Sequence, residues 1–167
     1  MANKKTIAIV GATSKTGRAI VNKFSGVPHR LLLVSDQFDE LYKLVSELNE
    51  KEPLAEIEGV ECVKDSCWEA DIIILSVPAE EERKKGILMK EVATQKEVVV
   101  VSENEHECDE IKKVLPYSKV IKAKLDVETN TITLSVSRGT VNEEISKIFI
   151  EAGYENTLID QHQIFKP

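Results

Sequence analysis

The stretch from Gly11 to Gly17 places small and hydroxylated residues between two glycines. It reads Gly11-Ala12-Thr13-Ser14-Lys15-Thr16-Gly17 and joins an apolar run, Thr6–Val10, to an amphipathic run, Lys15–Phe24. This order predicts a strand, a tight loop and then a helix. The first amides of a helix are unpaired and carry partial positive charge, and glycine lets a backbone approach a bound anion closely. We therefore predict that this loop binds the pyrophosphate of a dinucleotide.

The middle glycine of the usual dinucleotide fingerprint is missing from this loop. Thr13 occupies its place if the loop is aligned as GxGxxG, and Ser14 occupies it if the loop is aligned as GxxGxxG. A second interpretation is that Thr13 and Ser14 serve only as turn and N-cap residues of the helix. The position between a strand and a helix favours the phosphate loop, and the sequence leaves both interpretations open.

Asp36 follows the predicted second strand, Leu31–Val34, about 20 residues after the glycine loop. An acidic residue at this place accepts hydrogen bonds from the hydroxyls of the adenosine ribose. The same carboxylate would repel the 2′-phosphate of NADP. No Arg follows nearby to bind that phosphate, and Lys43 falls on the next helix. We therefore expect NAD or NADP as the cofactor, with NAD slightly favoured. The alternative is that Asp36 or Asp39 caps that helix.

Polar residues also follow the predicted fourth and fifth strands. Ser76-Val77-Pro78 comes after one strand, and Ser102 and Asn104 come after the other. Ligands of open α/β sheets bind outside the carboxyl ends of the strands, so we expect these residues to face the nicotinamide half of the cofactor. The catalytic residues are unknown, and Ser102, Asn104 and His106 are the proton donors to consider. His106 and Cys108 could supply acid, base or thiol chemistry, or could belong to an exposed polar helix start.

Strand-length apolar runs alternate with helix-length amphipathic runs, which is typical of βαβ units and a parallel sheet. The predicted strands are Thr6–Val10, Leu31–Val34, a weak Val60–Val63, Ile72–Val77 and Glu97–Val101. The predicted helices are Lys15–Phe24, Asp39–Leu48 and Glu80–Thr94, the last with Ile87, Leu88, Val92 and Ala93 facing inward. Trp68 is expected to pack in the core.

The pattern changes after Tyr117. Tyr117–Leu125 and Thr131–Val136 alternate apolar and polar residues, which predicts an antiparallel strand pair at the sheet edge. Val141–Ala152 is then a last helix, and Asn156–Ile159 is a short final strand. We predict an α/β fold, a doubly wound and mostly parallel Rossmann-type sheet with helices on both faces and an antiparallel edge near the C-terminus. Residues 1–167 are expected to form a single domain.

Composition excludes several other classes of protein. The chain has 167 residues, a formal net charge of −7 and a sequence pI near 5.1, which disfavours nucleic acid and anionic membranes as partners. Its three cysteines have no CxxC spacing, and His29, His106 and His162 are scattered, so neither disulfides nor a metal site are expected. No run resembles a signal peptide or a membrane span, and we expect a cytoplasmic protein.

The chain resembles the deazaflavin-dependent NADP reductases and the pyrroline-carboxylate reductases that share their N-terminal domain. The resemblance rests on the phosphate loop and, in order, on "DIIILSVPAEE", "EVVVVSEN", "LPYSKVIKA" and "IFIEAGYENTLID". It implies a nicotinamide cofactor. Those reductases carry an Arg after the second strand where this chain has Ser35-Asp36-Gln37, and they continue into a C-terminal helical segment beyond the position of Pro167.

A weaker resemblance links "VGATSKTGR" to the atypical short-chain dehydrogenase-like proteins, which often carry Gly in place of Ser14. The Tyr-x-x-x-Lys pair of the classical enzymes is absent, since Ser46, Ile121 and Leu158 stand four residues after the three tyrosines.

Two functions follow from these patterns. The first is a small oxidoreductase that transfers hydride between the nicotinamide and an unidentified small substrate. The second is a non-catalytic nucleotide-sensing or protein-interaction module, which the short length favours. We expect a homo-oligomer, namely a homodimer. The two functions differ in whether a second protomer closes over the strand ends and supplies the missing wall of the site. A third interpretation, a degenerate fold with no nucleotide site, is favoured by the absent middle glycine.

Overall fold

This computed structural model of the chain describes residues 4–104, 108–136 and 141–160. Strands and helices alternate along the first two thirds of the chain. The strands are β1 (Thr6–Val10), β2 (Arg30–Val34), β3 (Glu56–Gly59), β4 (Ile72–Leu75), β5 (Glu97–Ser102), β6 (Lys119–Asp126), β7 (Thr131–Val136) and β8 (Glu155–Asp160). The helices are α1 (Lys15–Phe24), α2 (Phe38–Glu50), α3 (Val63–Glu69), α4 (Ala79–Met89), α5 (Asp109–Val114) and α6 (Glu143–Glu151).

The eight strands of the described residues belong to one sheet with the order β3-β2-β1-β4-β5-β6-β7-β8. The chain runs outward from β1 to β3 in one direction and from β4 onward in the other, so the strand order reverses between β1 and β4. Neighbours from β3 to β6 pair in parallel, β6 and β7 pair antiparallel, and β7 and β8 pair in parallel. The predicted α/β fold with a mostly parallel sheet and an antiparallel pair near the C-terminus is confirmed.

Helices cover both faces of the sheet. Because alternate residues of a strand point to opposite faces, Ile7 and Ile9 of β1 enter one core and Ala8 and Val10 enter the other. The first core includes buried residues of α1, α2 and α6, and the second includes those of α3, α4 and α5. The strands of the centre are apolar at nearly every position because both of their faces are buried.

Four local details of the predicted fold differ from the structure. The antiparallel pair does not form the sheet edge, because β8 adds a further strand beyond β7. The third strand is Glu56–Gly59, not Val60–Val63, and Val63 instead begins α3. Trp68 lies on α3 with 70% of its surface exposed, so it is not a core residue. Tyr117 is likewise exposed and precedes β6. Val63 and Trp68 both lie on α3, so the packing of this helix, and not a strand pattern, decides their positions.

Helix α4 also turns a different face to the core than its apolar residues suggest. Its buried residues are Glu82, Lys85, Gly86 and Met89, which recur at the spacing of one helix face. Ile87 and Leu88, predicted to face inward, are about half exposed, at 51% and 52%. The helix therefore places two residues of opposite charge on its inner face, beside the carboxyl ends of the strands.

Buried His29 should make the stability of the fold depend on pH. Its side chain is 3% exposed, and its Nδ1 accepts a hydrogen bond of 3.0 Å from the backbone N–H of Lys5. Burial lowers the pKa of His29 below its usual 6.5, although Glu151, 3.9 Å from Nε2, acts to raise it. The unfolded chain therefore takes up this proton first as the pH falls.

We expect the free energy of unfolding to decrease as the pH falls below about 6.5, where only the unfolded state is protonated. Urea denaturation between pH 7.5 and pH 5.5 measures this loss. The variant His29→Asn keeps an acceptor for the Lys5 amide and should show a shallower pH dependence. Equal pH slopes for the wild type and this variant would assign the loss to other groups.

Candidate functional site

A cavity of about 350 Å³ opens at the carboxyl edge of the sheet, where the strand order reverses between β1 and β4. Its walls come from the segments that follow β1, β2 and β4 and from α4. The lining residues are Val10, Gly11, Thr13, Ser14, Val34, Ser35, Asp36, Gln37, Ser76, Val77, Pro78, Glu81 and Lys85. We call this the first cavity. Such a reversal point is where open α/β sheets bind their ligands.

A second cavity, of about 390 Å³, lies on the β5 side of the same edge. Its lining residues are Ser14, Lys15, Thr16, Ser76, Val77, Pro78, Ala79, Glu82, Val101, Ser102, Glu103 and Asn104. The two cavities share Ser14 and the segment Ser76-Val77-Pro78. They therefore form one crevice that runs across the ends of β2, β1, β4 and β5, with the glycine loop at its centre.

The structure gives a steric reason for both glycines of the loop. Gly11 has a φ of +89°, and a Cβ there would overlap the backbone oxygen of Ser76. A Cβ on Gly17 would overlap the backbone oxygen of Gly11. These glycines let β1, the loop, α1 and the end of β4 pack closely, and whether the loop also binds a pyrophosphate stays a prediction. Ala12, the neighbour of Gly11, is buried in the core.

Ser14, which takes the place of the middle glycine if the loop is aligned as GxxGxxG, is the N-cap of α1. Its Oγ accepts a hydrogen bond of 3.0 Å from the N–H of Gly17 and lies 2.8 Å from the oxygen of Gly11 and 2.9 Å from that of Ser76. The hydroxyl has one proton and donates to one of these oxygens at a time. Thr16 hydrogen-bonds the Ser76 hydroxyl. Ser14 therefore caps the helix and ties it to the end of β4.

We expect Ser14→Ala to lower the free energy of unfolding by about 1–2 kcal/mol, because the Gly17 amide loses its acceptor. Urea denaturation measures the change. Ser46→Ala, on the exposed side of α2, is the matched control and should change stability by no more than about 0.5 kcal/mol. Equal stabilities of the two variants would show that the cap contributes little.

The capping role of Ser14 leaves the anion-binding capacity of α1 in place. The N–H groups of Lys15 and Thr16 lie in the first turn, where a helix offers no backbone acceptor. The Lys15 side chain is 80% exposed, and its Nζ lies 3.3 Å from a carboxylate oxygen of Glu103 across the second cavity. Two backbone donors and one lysine therefore stand at the centre of the crevice.

Asp36 does not cap α2, because the cap position is Gln37 and its side chain makes no cap hydrogen bond. The Asp36 carboxylate instead contacts the ammonium of Lys85 on α4, with Oδ1 at 2.9 Å and Oδ2 at 2.7 Å from Nζ. Sequence reasoning missed this lysine. Its signal was present, since Lys85 shares the helix face of Glu82 and Met89, but the more apolar Ile87 and Leu88 outweighed it.

Next to Asp36, the walls of the first cavity are held by hydroxyl groups. The Thr13 and Ser35 hydroxyls lie 2.6 Å apart, and the Ser35 Oγ accepts a hydrogen bond of 3.1 Å from the N–H of Gln37. The Arg18 Nε donates to the backbone oxygen of Thr13 at 3.0 Å. These bonds join the glycine loop to the segment after β2, so the loop and Asp36 keep a fixed relation.

The predicted residues after β5 are only partly available for chemistry. The Ser102 hydroxyl donates to the backbone oxygen of Asn104 at 2.9 Å and accepts from the N–H of Asn104 at 3.1 Å, so it closes a local turn. Asn104 is exposed at the second cavity. Cys108 is 1% exposed and belongs to the core, so it is not part of an exposed helix start. His106 lies outside the described residues.

Glu82 is a second charged residue that the sequence interpretation missed. It is 4% exposed and lines the second cavity together with Ser102 and Asn104. A carboxyl group in such a position can hold or pass a proton. The sequence feature that could have identified Glu82 is the same as for Lys85: both are ionisable residues on the buried face of α4.

The described residues are 4–104, 108–136 and 141–160. Within these ranges there is no group of three His, Cys, Asp or Glu side chains that could hold a metal ion. None of their helices combines the length and the apolar character that crossing a bilayer requires.

Burial raises the pKa of the Cys67 thiol to about 11, which keeps it protonated at neutral pH.

Solved structures with the same architecture include reductases and dehydrogenases, whereas no family model and no curated sequence matches the chain. A pyrroline-5-carboxylate reductase from Coxiella burnetii superposes with a TM-score of 0.71 at 15% identity, over 91% of this chain and 58% of that one. A putative F420-dependent NADP-reductase from Arthrobacter sp. FB24 gives a TM-score of 0.70 at 13% identity, over 93% and 84%.

A third structure, prephenate dehydrogenase from A. aeolicus in complex with hydroxyphenyl propionate and NAD+, gives a TM-score of 0.73 at 12% identity. The match covers 97% of this chain and 62% of that one. The chain thus spans about three fifths of the length of two of these three structures. The likeness to pyrroline-carboxylate and deazaflavin-dependent NADP reductases inferred from the sequence is confirmed for the fold. The chain has the Rossmann-like α/β fold of NAD(P)-binding reductases and dehydrogenases.

Proposed function

We propose that the chain binds a nicotinamide dinucleotide along the crevice and acts as a small oxidoreductase. The observation that carries the proposal is the pair of cavities, about 350 Å³ and 390 Å³, that meet at the glycine loop. A dinucleotide consists of two nucleosides joined by a pyrophosphate, and the crevice offers two chambers joined at a helix N-terminus. The position of the crevice at the strand-order reversal supports the same ligand.

Each part of the crevice has a role in this proposal. The first cavity takes the adenosine, and Asp36, 70% exposed at its rim, accepts hydrogen bonds from the ribose hydroxyls. The amides of Lys15 and Thr16 bind the pyrophosphate. The second cavity takes the nicotinamide riboside between Ser76-Val77-Pro78 and the segment Ser102–Asn104. Such a cofactor, when bound, supplies a hydride for transfer to or from a small substrate.

The residues present fit such a ligand. The amides of the first turn of α1 lack helical acceptors, and Lys15 adds a positive charge. Hydrogen bonds between Thr13 and Ser35 and between Thr16 and Ser76 join parts of the cavity walls. Glu82 is the group best placed to exchange a proton with a substrate bound in the second cavity. We extend the proposal to a homodimer in which the partner covers this cavity.

Titration with NADH, NADPH, NAD+ and NADP+ tests the proposal, with nicotinamide fluorescence and isothermal calorimetry as readouts. We expect saturable binding, with slower hydrogen exchange at the Lys15 and Thr16 amides and no change in β7. Lys15→Met should weaken binding about threefold to tenfold through loss of one exposed charge, whereas Lys147→Met on α6 should not. No binding of any of the four at millimolar concentration would disprove the proposal.

Catalysis is tested separately. A screen of small carbonyl and imine substrates with NADH and NADPH, followed at the nicotinamide absorbance, should find turnover that Glu82→Gln reduces while dinucleotide binding persists. Binding without turnover of any substrate would instead favour the nucleotide-sensing module. Light scattering of the purified chain measures the oligomeric state, and a monomer at all concentrations would remove the homodimer from the proposal.

A further inference from the structure

Lys85 is a buried cation aimed at the rim of the first cavity. Its side chain is 11% exposed, whereas the Asp36 side chain that it contacts is 70% exposed. Both Asp36 oxygens lie within 3 Å of Nζ, at 2.9 and 2.7 Å. Asp36 is therefore the solvent-facing member of the pair, and Lys85 is the buried member, on the inner face of α4.

The charges around this pair are unequal. The described residues that line the first cavity include two carboxylates, Asp36 and Glu81, and Lys85 as the one cation. Arg18 is engaged elsewhere, with Glu40 at 3.0 Å and the Thr13 backbone oxygen. Lys43, the basic residue that follows Asp36 most closely in sequence, is exposed on α2 and does not line this cavity. A negative group at the Asp36 position thus has Lys85 as its partner within the cavity.

We infer that Lys85 determines which dinucleotide this site accepts, an inference that rests on the proposed function. In the wild type, Asp36 forms an ion pair with Lys85 and presents its carboxylate to the ribose hydroxyls, which favours NADH. Once the charge of Asp36 is removed, Lys85 faces the place of the 2′-hydroxyl and can pair with a 2′-phosphate there. Asp36 thus masks an NADPH-binding lysine, and the discrimination comes from the pair rather than from the carboxylate alone.

The pairing also explains why a buried lysine is tolerated on α4. An ammonium removed from water needs a charged or hydrogen-bonding partner, and Asp36 supplies it from another segment of the chain. In the Asp36→Asn variant this partner loses its charge but keeps one acceptor oxygen. The variant therefore leaves Lys85 in place with an unbalanced positive charge beside the cavity, which is the condition for binding an additional phosphate.

A double-mutant cycle tests the inference. Dissociation constants for NADH and NADPH are measured by calorimetry for the wild type, Asp36→Asn, Lys85→Met and Asp36→Asn/Lys85→Met. We expect Asp36→Asn to shift the NADPH-to-NADH affinity ratio toward NADPH by about tenfold or more, which is the size of one charge-assisted contact. The double variant should lose most of that shift. Adenosine 2′,5′-bisphosphate against 5′-AMP should show the same pattern.

Matched controls are available on the same helices. Lys84→Met changes the neighbouring exposed lysine of α4, and Asp39→Asn changes an exposed acid in the first turn of α2. Neither should move the ratio by more than about twofold. Lys85→Gln serves if Lys85→Met unfolds, and thermal melting identifies folded variants.

The possible results distinguish a failure of the proposed dinucleotide site from a failure of the proposed role of Lys85. If NADH binds the wild type and Asp36→Asn shifts the ratio equally with and without Lys85, the role of Lys85 is disproved and the dinucleotide site stands. If no dinucleotide and neither adenosine phosphate binds any variant, the proposed function fails and the inference fails with it. A shift that requires Lys85 supports both.

Discussion

Gly11→Ala is expected to cost about 3 kcal/mol or more of folding stability, a loss at the upper end for single substitutions. Two effects act together. The φ of +89° is one that residues with a Cβ rarely adopt, and the added Cβ would overlap the backbone oxygen of Ser76. Backbone atoms of a central strand end cannot move aside as a flexible side chain can, so the loop must separate from β4.

The separation should also break the hydrogen bonds that Ser14 makes to Gly11 and Ser76, and with them the shape of the crevice. Urea denaturation measures the stability, and NADH titration below the melting temperature measures the site. Gly26→Ala is the control, since the nearest atom to its added Cβ is 3.6 Å away and the residue is exposed. It should change stability by less than about 1 kcal/mol. A Gly11→Ala protein as stable as this control would contradict the steric argument.

The central part of the fold follows from the sequence because its strands carry a strong and simple signal. Runs such as Leu31–Val34 and Glu97–Val101 are apolar at almost every position, and only strands buried on both faces need that composition. The glycine loop could be placed for the same reason, since it connects the first such strand to a helix. Its steric role could be foreseen from Gly11 and Gly17, whereas the hydrogen bonds of Ser14 depend on Ser76, which lies far away in the sequence.

Hydrophobic periodicity alone did not predict the buried face of α4, because that face carries charged residues. Helix α4 leaves Ile87 and Leu88 half exposed and buries Glu82 and Lys85. A hydrophobic pattern assumes that burial follows apolarity, and that assumption breaks where buried charges have partners. The partner of Lys85 is Asp36, on another strand end, and no local pattern contains this pairing. The sequence did not locate the short elements β3 and α3 for a related reason, because each has too few residues to show a clear hydrophobic periodicity.

Phe149→Ala is expected to lower the free energy of unfolding by about 3–5 kcal/mol. Phe149 lies on α6 and is 1% exposed. Its ring meets Phe24 of α1 edge to face, with centroids 5.4 Å apart, and lies 6.0 Å from the ring of Tyr154. Truncation leaves a cavity beside the two remaining rings, and it removes the ring contact between α6 and α1.

The same variant tests whether residues 1–167 unfold as one domain. If they do, Phe149→Ala should accelerate hydrogen exchange through global unfolding in β4 as much as in β7, because the Phe24 contact couples the two parts of the sheet. Ile150→Ala, at a neighbouring residue that is 56% exposed, should leave both strands nearly unchanged. Faster exchange in β7 with unchanged exchange in β4 would mean that the C-terminal strands unfold independently. The crevice, built from the ends of β1, β2, β4 and β5, would then keep its stability without the C-terminal strands.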